Sequence, residues 1–443
     1  MNKVDPDTLQ EVEQTLDVVG VKRFEPYPEY KPTGVEWLGD VPEHWEVKRF
    51  KHSVQLINDK IEISEEHKIP YIGMEHVESW TGKTLPLDDD FAPVGITNVF
   101  SSNDVLFGKL RPYLAKACAP NLEGICTSEL IVLRPNTIDK KFLLYTVLSY
   151  GFIKLVDSST FGAKMPRANW EFVGDIRIPV PEQIEQKSIA RFLDEQTQKI
   201  DDLIEAKRKL LDLLKEKRQA IITHAVTKGI DPDVKMKPSG IEWLGDVPEQ
   251  WEVKKLKRTV QVINEKIEIS EENKIPYVGM EHVESWTGKT SPLDDEFTPV
   301  GITNVFSSND VLFGKLRPYL AKACAPNFEG ICSSELIVLR PNLIDRKFLL
   351  YAILSYGFIK LVDSSTFGAK MPRANWEFIG GMHIPIPEQN EQRVIARFLD
   401  KQTQKIDHII SETNKAIERL TEYRIALISA AVTGKIDVRG RAS

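Results

Sequence analysis

Gly108-Lys109-Leu110-Arg111-Pro112-Tyr113 returns letter for letter as Gly314-Lys315-Leu316-Arg317-Pro318-Tyr319, an offset of 206 residues (315 − 109). Working outward, Val99 to Pro120 is unchanged in Val305 to Pro326, and Gly151–Trp170 is unchanged in Gly357–Trp376. The same offset carries Gly34-Val35-Glu36-Trp37-Leu38-Gly39 onto Gly240-Ile241-Glu242-Trp243-Leu244-Gly245, with no gap between. A unit this long is a domain with its connector, so solenoids and propellers, whose repeats run about 20–50 residues, are excluded. Divergence is uneven. Asp202-Leu203-Ile204-Glu205-Ala206-Lys207 faces His408-Ile409-Ile410-Ser411-Glu412-Thr413, so the globular parts are nearly one sequence while the connectors have drifted.

At 443 residues the chain is too long for one ordinary core, which agrees with a duplicated plan. Met1-Asn2-Lys3-Val4-Asp5-Pro6-Asp7 has no apolar core of a secretory signal, and no apolar run is long enough for a bilayer. The cysteines, Cys118, Cys126, Cys324 and Cys332, are too few to staple a chain of this size. A reduced, cytoplasmic setting is expected. The formal net charge of −7 argues mildly against nucleic acid, whose affinity comes from Lys and Arg meeting phosphates. Acids cluster in Leu87-Asp88-Asp89-Asp90 and Ile63-Ser64-Glu65-Glu66, however, and a basic groove beside an acidic face gives the same total. Net charge decides nothing here.

Each unit opens on the turn-rich segments Tyr30–Gly34 and Gly39–Pro42. Strand-like runs follow at Ile69–Gly73, Asp104–Phe107, Ile125–Thr127 and Glu129–Leu133, and Asp139–Tyr150 has helical spacing. Mixed elements without regular βαβ alternation predict α+β heads. From Glu182 to about Val226 there is no Gly or Pro, and Pro181 suits a first helical turn. Ile189, Leu193, Ile200, Leu203, Leu210, Leu214 and Ile221 make a heptad-like seam, broken by Gln196 and Lys207. Such a helix would be roughly 65 Å long. The second copy, Glu388 to about Val432, repeats the seam with Ile395, Leu399, Ile406, Ile409 and Leu420. Two matching stalks most simply pack together. The endings Ala225–Asp231 and Ala431–Asp437 also correspond, and Asp231-Pro232-Asp233 echoes Asp5-Pro6-Asp7. If that echo is real, the chain is roughly cyclic.

Catalytic signatures are sparse. There is no Gly-rich nucleotide loop and no Asp/Asn-Pro-Pro-Tyr/Phe tetrapeptide of an amino-methyltransferase. Gly82-Lys83-Thr84 lacks the earlier glycine and the strand–loop–helix setting of a phosphate loop. Cys118 and Cys126 lie too far apart for a zinc knuckle and read as buried thiols. Glu75 and His76, recurring as Glu281 and His282, read as a DNA-contacting or packing pair.

Two basic segments stand out in each head. Lys109, Arg111, Tyr113 and Lys116 surround Pro112, and Lys164, Arg167, Asn169 and Trp170 follow the polar Asp157–Thr160. The second copies are Lys315, Arg317, Tyr319 and Lys322, then Lys370, Arg373 and Asn375. Arg reads guanine edges, Asn reads adenine edges, and Lys, Ser and Thr grip phosphates. The alternative is a solvated loop, and Trp170 reads as a core aromatic. The stalk faces, including Lys207-Arg208-Lys209 and Lys215-Glu216-Lys217-Arg218, suit either solvent or a docking partner.

Gly34–Gly39 followed by Val41-Pro42-Glu43-His44-Trp45-Glu46-Val47 resembles the opening of a specificity-subunit head from type I restriction–modification systems. Ile178–Gln183 with Ile189-Ala190-Arg191-Phe192-Leu193-Asp194 resembles the start of that family's helical region, and Ala431–Asp437 its ending. The likeness covers nearly everything from Tyr30 onward. It implies two α/β target-recognition domains, 30–181 and 229–387, and two long antiparallel coiled-coil helices in the regions 182–228 and 388–443, with pseudo-two-fold symmetry. Residues 1–29 form an N-terminal extension. The implied partners are double-stranded DNA, two modification subunits bringing S-adenosylmethionine for adenine N6, and restriction subunits using ATP and Mg. This chain would then hold no cofactor and no chemistry of its own. One departure matters: family members usually carry two different heads, and these are nearly identical. They predict a palindromic, bipartite target. Two rivals stay open, an enzyme binding S-adenosylmethionine or metal itself, and a coiled-coil scaffold in which Arg111→Ala with Arg317→Ala changes nothing.

Overall fold

The computed structural model describes residues 24–63, 69–87, 95–160, 165–269, 275–291, 301–366 and 370–439. Contacts divide the chain into two units, Met1–Lys207 with Asn414–Ser443, and Arg208–Thr413. Each unit therefore holds one head, the near half of the helix that follows it, and the far half of the other long helix.

In the first head the strands are β1 (Tyr30–Pro32), β2 (Asp40–Pro42), β3 (Glu46–Arg49), β4 (Val54–Ile57), β5 (Lys60–Ile63), β6 (Tyr71–Ile72), β7 (Gly95–Phe100), β8 (Val105–Gly108), β9 (Ala117–Cys118), β10 (Gly124–Cys126), β11 (Leu130–Pro135) and β12 (Arg177–Val180). An antiparallel sheet in the order β4-β11-β8-β9 lies next to a second of order β5-β7-β10-β6, in which β10 and β6 run parallel. The central strands explain themselves by their period of two. Val105, Phe107, Ile131 and Leu133 enter one core, with helix residues Phe142, Leu143 and Phe152. Leu106, Leu130 and Val132 enter another, with Ile72, Phe100 and Cys126 of the second sheet. Burial on both faces is why β8 and β11 read as unbroken apolar runs.

The helices are α1 (Phe50–Ser53), α2 (Lys140–Leu148), α3 (Tyr150–Ser158), α4 (Trp170–Asp175) and the long α5 (Gln183–Lys228). The expected Asp139–Tyr150 helix is two helices, because Ser149 is extended (φ −66°, ψ 143°) between α2 and α3. Asp139 caps α2 by accepting hydrogen bonds from the Lys141 and Phe142 amides. The second head repeats the strand order and register: β13 (Val260–Ile263), β14 (Val311–Gly314), β15 (Ala323–Cys324) and β16 (Leu336–Pro341) stand in the order β13-β16-β14-β15, matching β4-β11-β8-β9. Its helices are α6 (Arg346–Ile353), α7 (Tyr356–Ser364), α8 (Trp376–Gly381) and the long α9 (Gln389–Val432).

Within each unit the halves of α5 and α9 pair antiparallel. In the first unit Asp201 meets Arg424 and Glu185 meets Arg439, and in the second Asp407 meets Arg218. The buried seam differs from the leucine pattern. Leu203, Leu210 and Ile409 are exposed, and the buried positions are Thr197, Ile200, Ile204, Leu211, Leu214 and Arg218. Polar Thr197 and Arg218 occupy seam positions, and a straight helix drifts about 20° per heptad from a strict seven-residue repeat. Following leucines alone stepped off the seam by one residue.

Phe24 and Tyr27, grouped above with an extension, pack into the first unit's core. Phe24 meets Phe192 edge-on, buried Tyr27 donates to Glu185 Oε1 at 2.8 Å, and the Asp437 amide donates to the Glu25 carbonyl at 2.8 Å. By the 206 offset Glu25 and Asp437 both correspond to Asp231. In the first unit these two segments meet by a hydrogen bond where the second unit has continuous chain, while the Asp5-Pro6-Asp7 echo lies outside the described residues.

All four cysteines are free and buried, and burial pushes each thiol up to about 12. Because the thiolate is the reactive form, native protein at pH 8 is expected to give almost no colour with a thiol-specific disulfide reagent, and four equivalents after unfolding. Rapid native labelling of any of them contradicts this packing.

Candidate nucleic-acid interface

The two basic segments of each head are brought together by the backbone. The Arg111 amide donates to the Pro166 carbonyl at 2.8 Å, the Ala168 amide to the Lys109 carbonyl at 2.8 Å, and Leu110 and Arg167 form a β-bridge. The second head repeats all three between Lys315–Arg317 and Pro372–Ala374. Arg111 and Arg317 are exposed and left-handed, at φ 51° and 50°, a region that costs a side-chain-bearing residue energy. Each opens a 3-10 turn, Pro112–Leu114 or Pro318–Leu320, that holds Tyr113 or Tyr319 outward at 38% and 46% exposure.

The other residues separate by role. Arg167 is exposed, and Glu129 takes a bidentate hold on its Nε and Nη2 at 3.0 Å, raising its pKa; Arg373 and Glu335 do the same at 3.1 Å. That pairing uses two of five guanidinium donors and fixes the plane of the rest. Asn169 and Asn375 cap α4 and α8, their Oδ1 accepting from the Glu171 and Glu377 amides. The cap commits the oxygen and leaves the amide nitrogen as the group offered outward. Lys116 and Lys322 turn inward, donating to the carbonyls of Met74 and Met280. Lys370 is exposed, whereas Lys164 lies outside the described residues. Trp170 is half-buried against Phe50. His76 packs edge-on to Tyr71 and accepts from the Gly73 amide, so it serves its own turn.

In the second head Lys315, Arg373 and Asn375 line a cleft of about 570 Å³ together with Asn264, Lys266, Asn304 and Ser334. Sequence reasoning missed Asn264, Lys266, Asn304 and Ser334, with their copies Asn58, Lys60, Asn98 and Ser128 in the first head. For Asn58 and Lys60 the available signal was the polar break Asn58-Asp59-Lys60 after Leu56-Ile57, which reads as a turn. Three cations, three amides and a hydroxyl around a floor of Leu336 and Val338 suit a polyanion whose edges carry donors and acceptors. Among the described residues no group of three or more His, Cys, Asp and Glu is gathered as a metal site, and no helix is long and apolar enough to cross a membrane.

The family model for the type I restriction modification DNA specificity domain matches twice, at residues 42–213 and 248–419, the 206 offset again (248 − 42). The type I restriction enzyme MjaVIII specificity subunit of Methanocaldococcus jannaschii is 26% identical over 433 residues, covering 90% of this chain and 94% of the relative. The EcoDI specificity subunit of Escherichia coli is 24% identical, covering 70% and 73%. A solved chain from a study of complex assembly in the type I R-M system shares the fold with a TM-score of 0.68 at 18% identity, over 88% of this chain and 98% of that one. The HsdS subunit from Thermoanaerobacter tengcongensis has a TM-score of 0.51 at 19% identity, over 89% and 98%. With its domain matched twice over well more than half its length, this chain belongs to the type I restriction–modification DNA specificity family.

Proposed function

We propose that each head reads one half of a bipartite duplex target, and that the two halves are inverted copies of one sequence. One observation carries this. Of the fourteen residues lining the second head's cleft, thirteen are the same 206 positions earlier, and the exception exchanges Val262 for Leu56. Identical reading groups select identical bases, as paired readers of palindromic operators do. In this reading Lys266 and Lys315 hold phosphates, and Arg373, its plane set by Glu335, offers donors to a guanine edge. Arg317 and Tyr319, presented by their strained turn, meet the backbone beside it. The chain supplies recognition alone. Methyl transfer to adenine N6 belongs to two modification subunits that carry S-adenosylmethionine and dock on α5 and α9, and ATP-driven cleavage with Mg belongs to restriction subunits.

Selection from a random duplex library by the complex with its modification subunits is expected to return inverted, identical half-sites. Two unrelated half-sites overturn the equivalence of the heads, and no enriched sequence overturns the reading. The helices set the spacer. Deleting one matched heptad from each of α5 and α9 removes about 10 Å, which corresponds to about 3 base pairs of spacer. The half-sites are expected to stay as they were, and a changed half-site contradicts the ruler.

A further inference from the structure

Arg424 is a seam residue of α9, 3% exposed, yet it is charged and fully engaged. Its Nε donates to Asp201 Oδ1 of α5 at 2.9 Å, its Nη1 to the Trp80 carbonyl at 2.7 Å and its Nη2 to the Thr81 carbonyl at 2.9 Å. Lys83 adds its ammonium to Asp201 at 2.8 Å, which gives Gly82-Lys83-Thr84 a role unrelated to phosphate. Trp80 is left-handed, φ 67°, and its own amide donates to the Ala115 carbonyl at 3.0 Å. Ala115 closes the turn that Arg111 opens. One arginine therefore ties α9 to α5 and to Trp80, whose own amide holds the basic loop of the head. The second unit is the same: Arg218 binds Asp407 and the carbonyls of Trp286 and Thr287, Lys289 binds Asp407, and the Trp286 amide donates to Ala321. A buried cation held at 3–4% exposure is expensive unless fully bonded, and an apolar seam residue would close the helix pair without it. Arginine's planar fork supplies several donors in fixed directions, which lysine's point charge does not.

Building on the reading that each head takes one half-site, we propose that Arg218 and Arg424 are positioning residues that fix each recognition loop on its helix pair and thereby set how strictly spacer length is read. They touch no base. Their loss leaves the half-site preference and loosens the register between halves.

The test uses the complex with its modification subunits and duplexes carrying the selected half-sites at the native spacer, one base pair longer and one shorter. Wild type is expected to methylate the native spacer by far the best. If it ignores spacer length, the bipartite reading itself fails, separately from this proposal. Arg218→Lys with Arg424→Lys, and the methionine pair, are compared with it. The expected result is a tenfold or greater fall in preference for the native spacer in both, with the penalty for a mutated half-site unchanged. A lysine pair that folds and keeps full spacer discrimination overturns the proposal, even if the methionine pair does not fold. Equal loss of spacer and half-site discrimination also overturns it, because that is the signature of a damaged head.

Discussion

Arg167→Ala combined with Arg373→Ala is expected to cost about 2–6 kcal/mol of sequence-specific DNA affinity, at about 1–3 kcal/mol per base-reading arginine. The two losses add because the residues sit in separate heads with no shared partner. Each guanidinium is held in plane by its own carboxylate, Glu129 or Glu335, so on the proposed reading a base would meet a donor edge whose geometry is already fixed. Preference should relax at one position in each half-site, and at the same position in both. Competition binding against duplexes substituted at every position measures this. Uniform weakening at all sequences would instead place these arginines on phosphate, and unchanged binding would remove them from the interface. The contrasting pair is Lys60→Ala with Lys266→Ala, where uniform weakening is the expected outcome.

A larger effect on folding is expected at Asp104 and its copy Asp310. Both carboxylates are 0% exposed. Each accepts two bonds from an arginine, Arg134 or Arg340, and one each from the amide and hydroxyl of Ser101 or Ser307. Burial alone raises such a carboxyl, but these donors outweigh it and hold both below the usual aspartate range. A depressed folded-state pKa means the stabilisation is complete above the unfolded value, about 3.9, and is lost as pH falls through the folded value. Asp104→Ala is expected to destabilise its head by about 3 kcal/mol at neutral pH, since it strands an arginine and two serine donors. Against the 5–15 kcal/mol of a typical domain, that is a large share. Urea midpoints at pH 7 and near pH 3 measure it. The gap between wild type and variant should narrow in acid, and a gap that is absent at pH 7 or constant with pH contradicts the assignment.

Much of the architecture was legible because duplication and periodicity are properties of the chain itself. The 206 offset located both heads, and the Gly- and Pro-free run after Pro181 located α5. What resisted reading was whatever tertiary contact decides. Leucines suggested Leu203 and Leu210 for the seam, whereas packing chose Ile204 and Leu211 and admitted Arg218, whose burial is explained by Asp407 of α9 and by carbonyls of a distant loop. At Ser149 the chain is extended and the next amide, Tyr150, donates to Ser429 Oγ of α9 at 2.9 Å, a contact that nothing in Asp139–Tyr150 announces. In the heads, the two basic segments that residue type singled out, Lys109–Arg111 and Pro166–Ala168, are joined by hydrogen bonds. Residue type could not show that Lys116 turns inward to Met74, that Asn169 spends its oxygen on a helix cap, or that Asn264 and Lys266 rise into the same cleft.

The most direct test of the central claim is a methylation map of DNA from cells expressing this chain with its modification subunits. Two heads with the same reading groups predict a split motif whose halves are the same sequence in inverted order, separated by a fixed spacer. A motif with unlike halves would contradict the equivalence of the heads, and the absence of any motif from cells in which the complex has formed would contradict the recognition role itself.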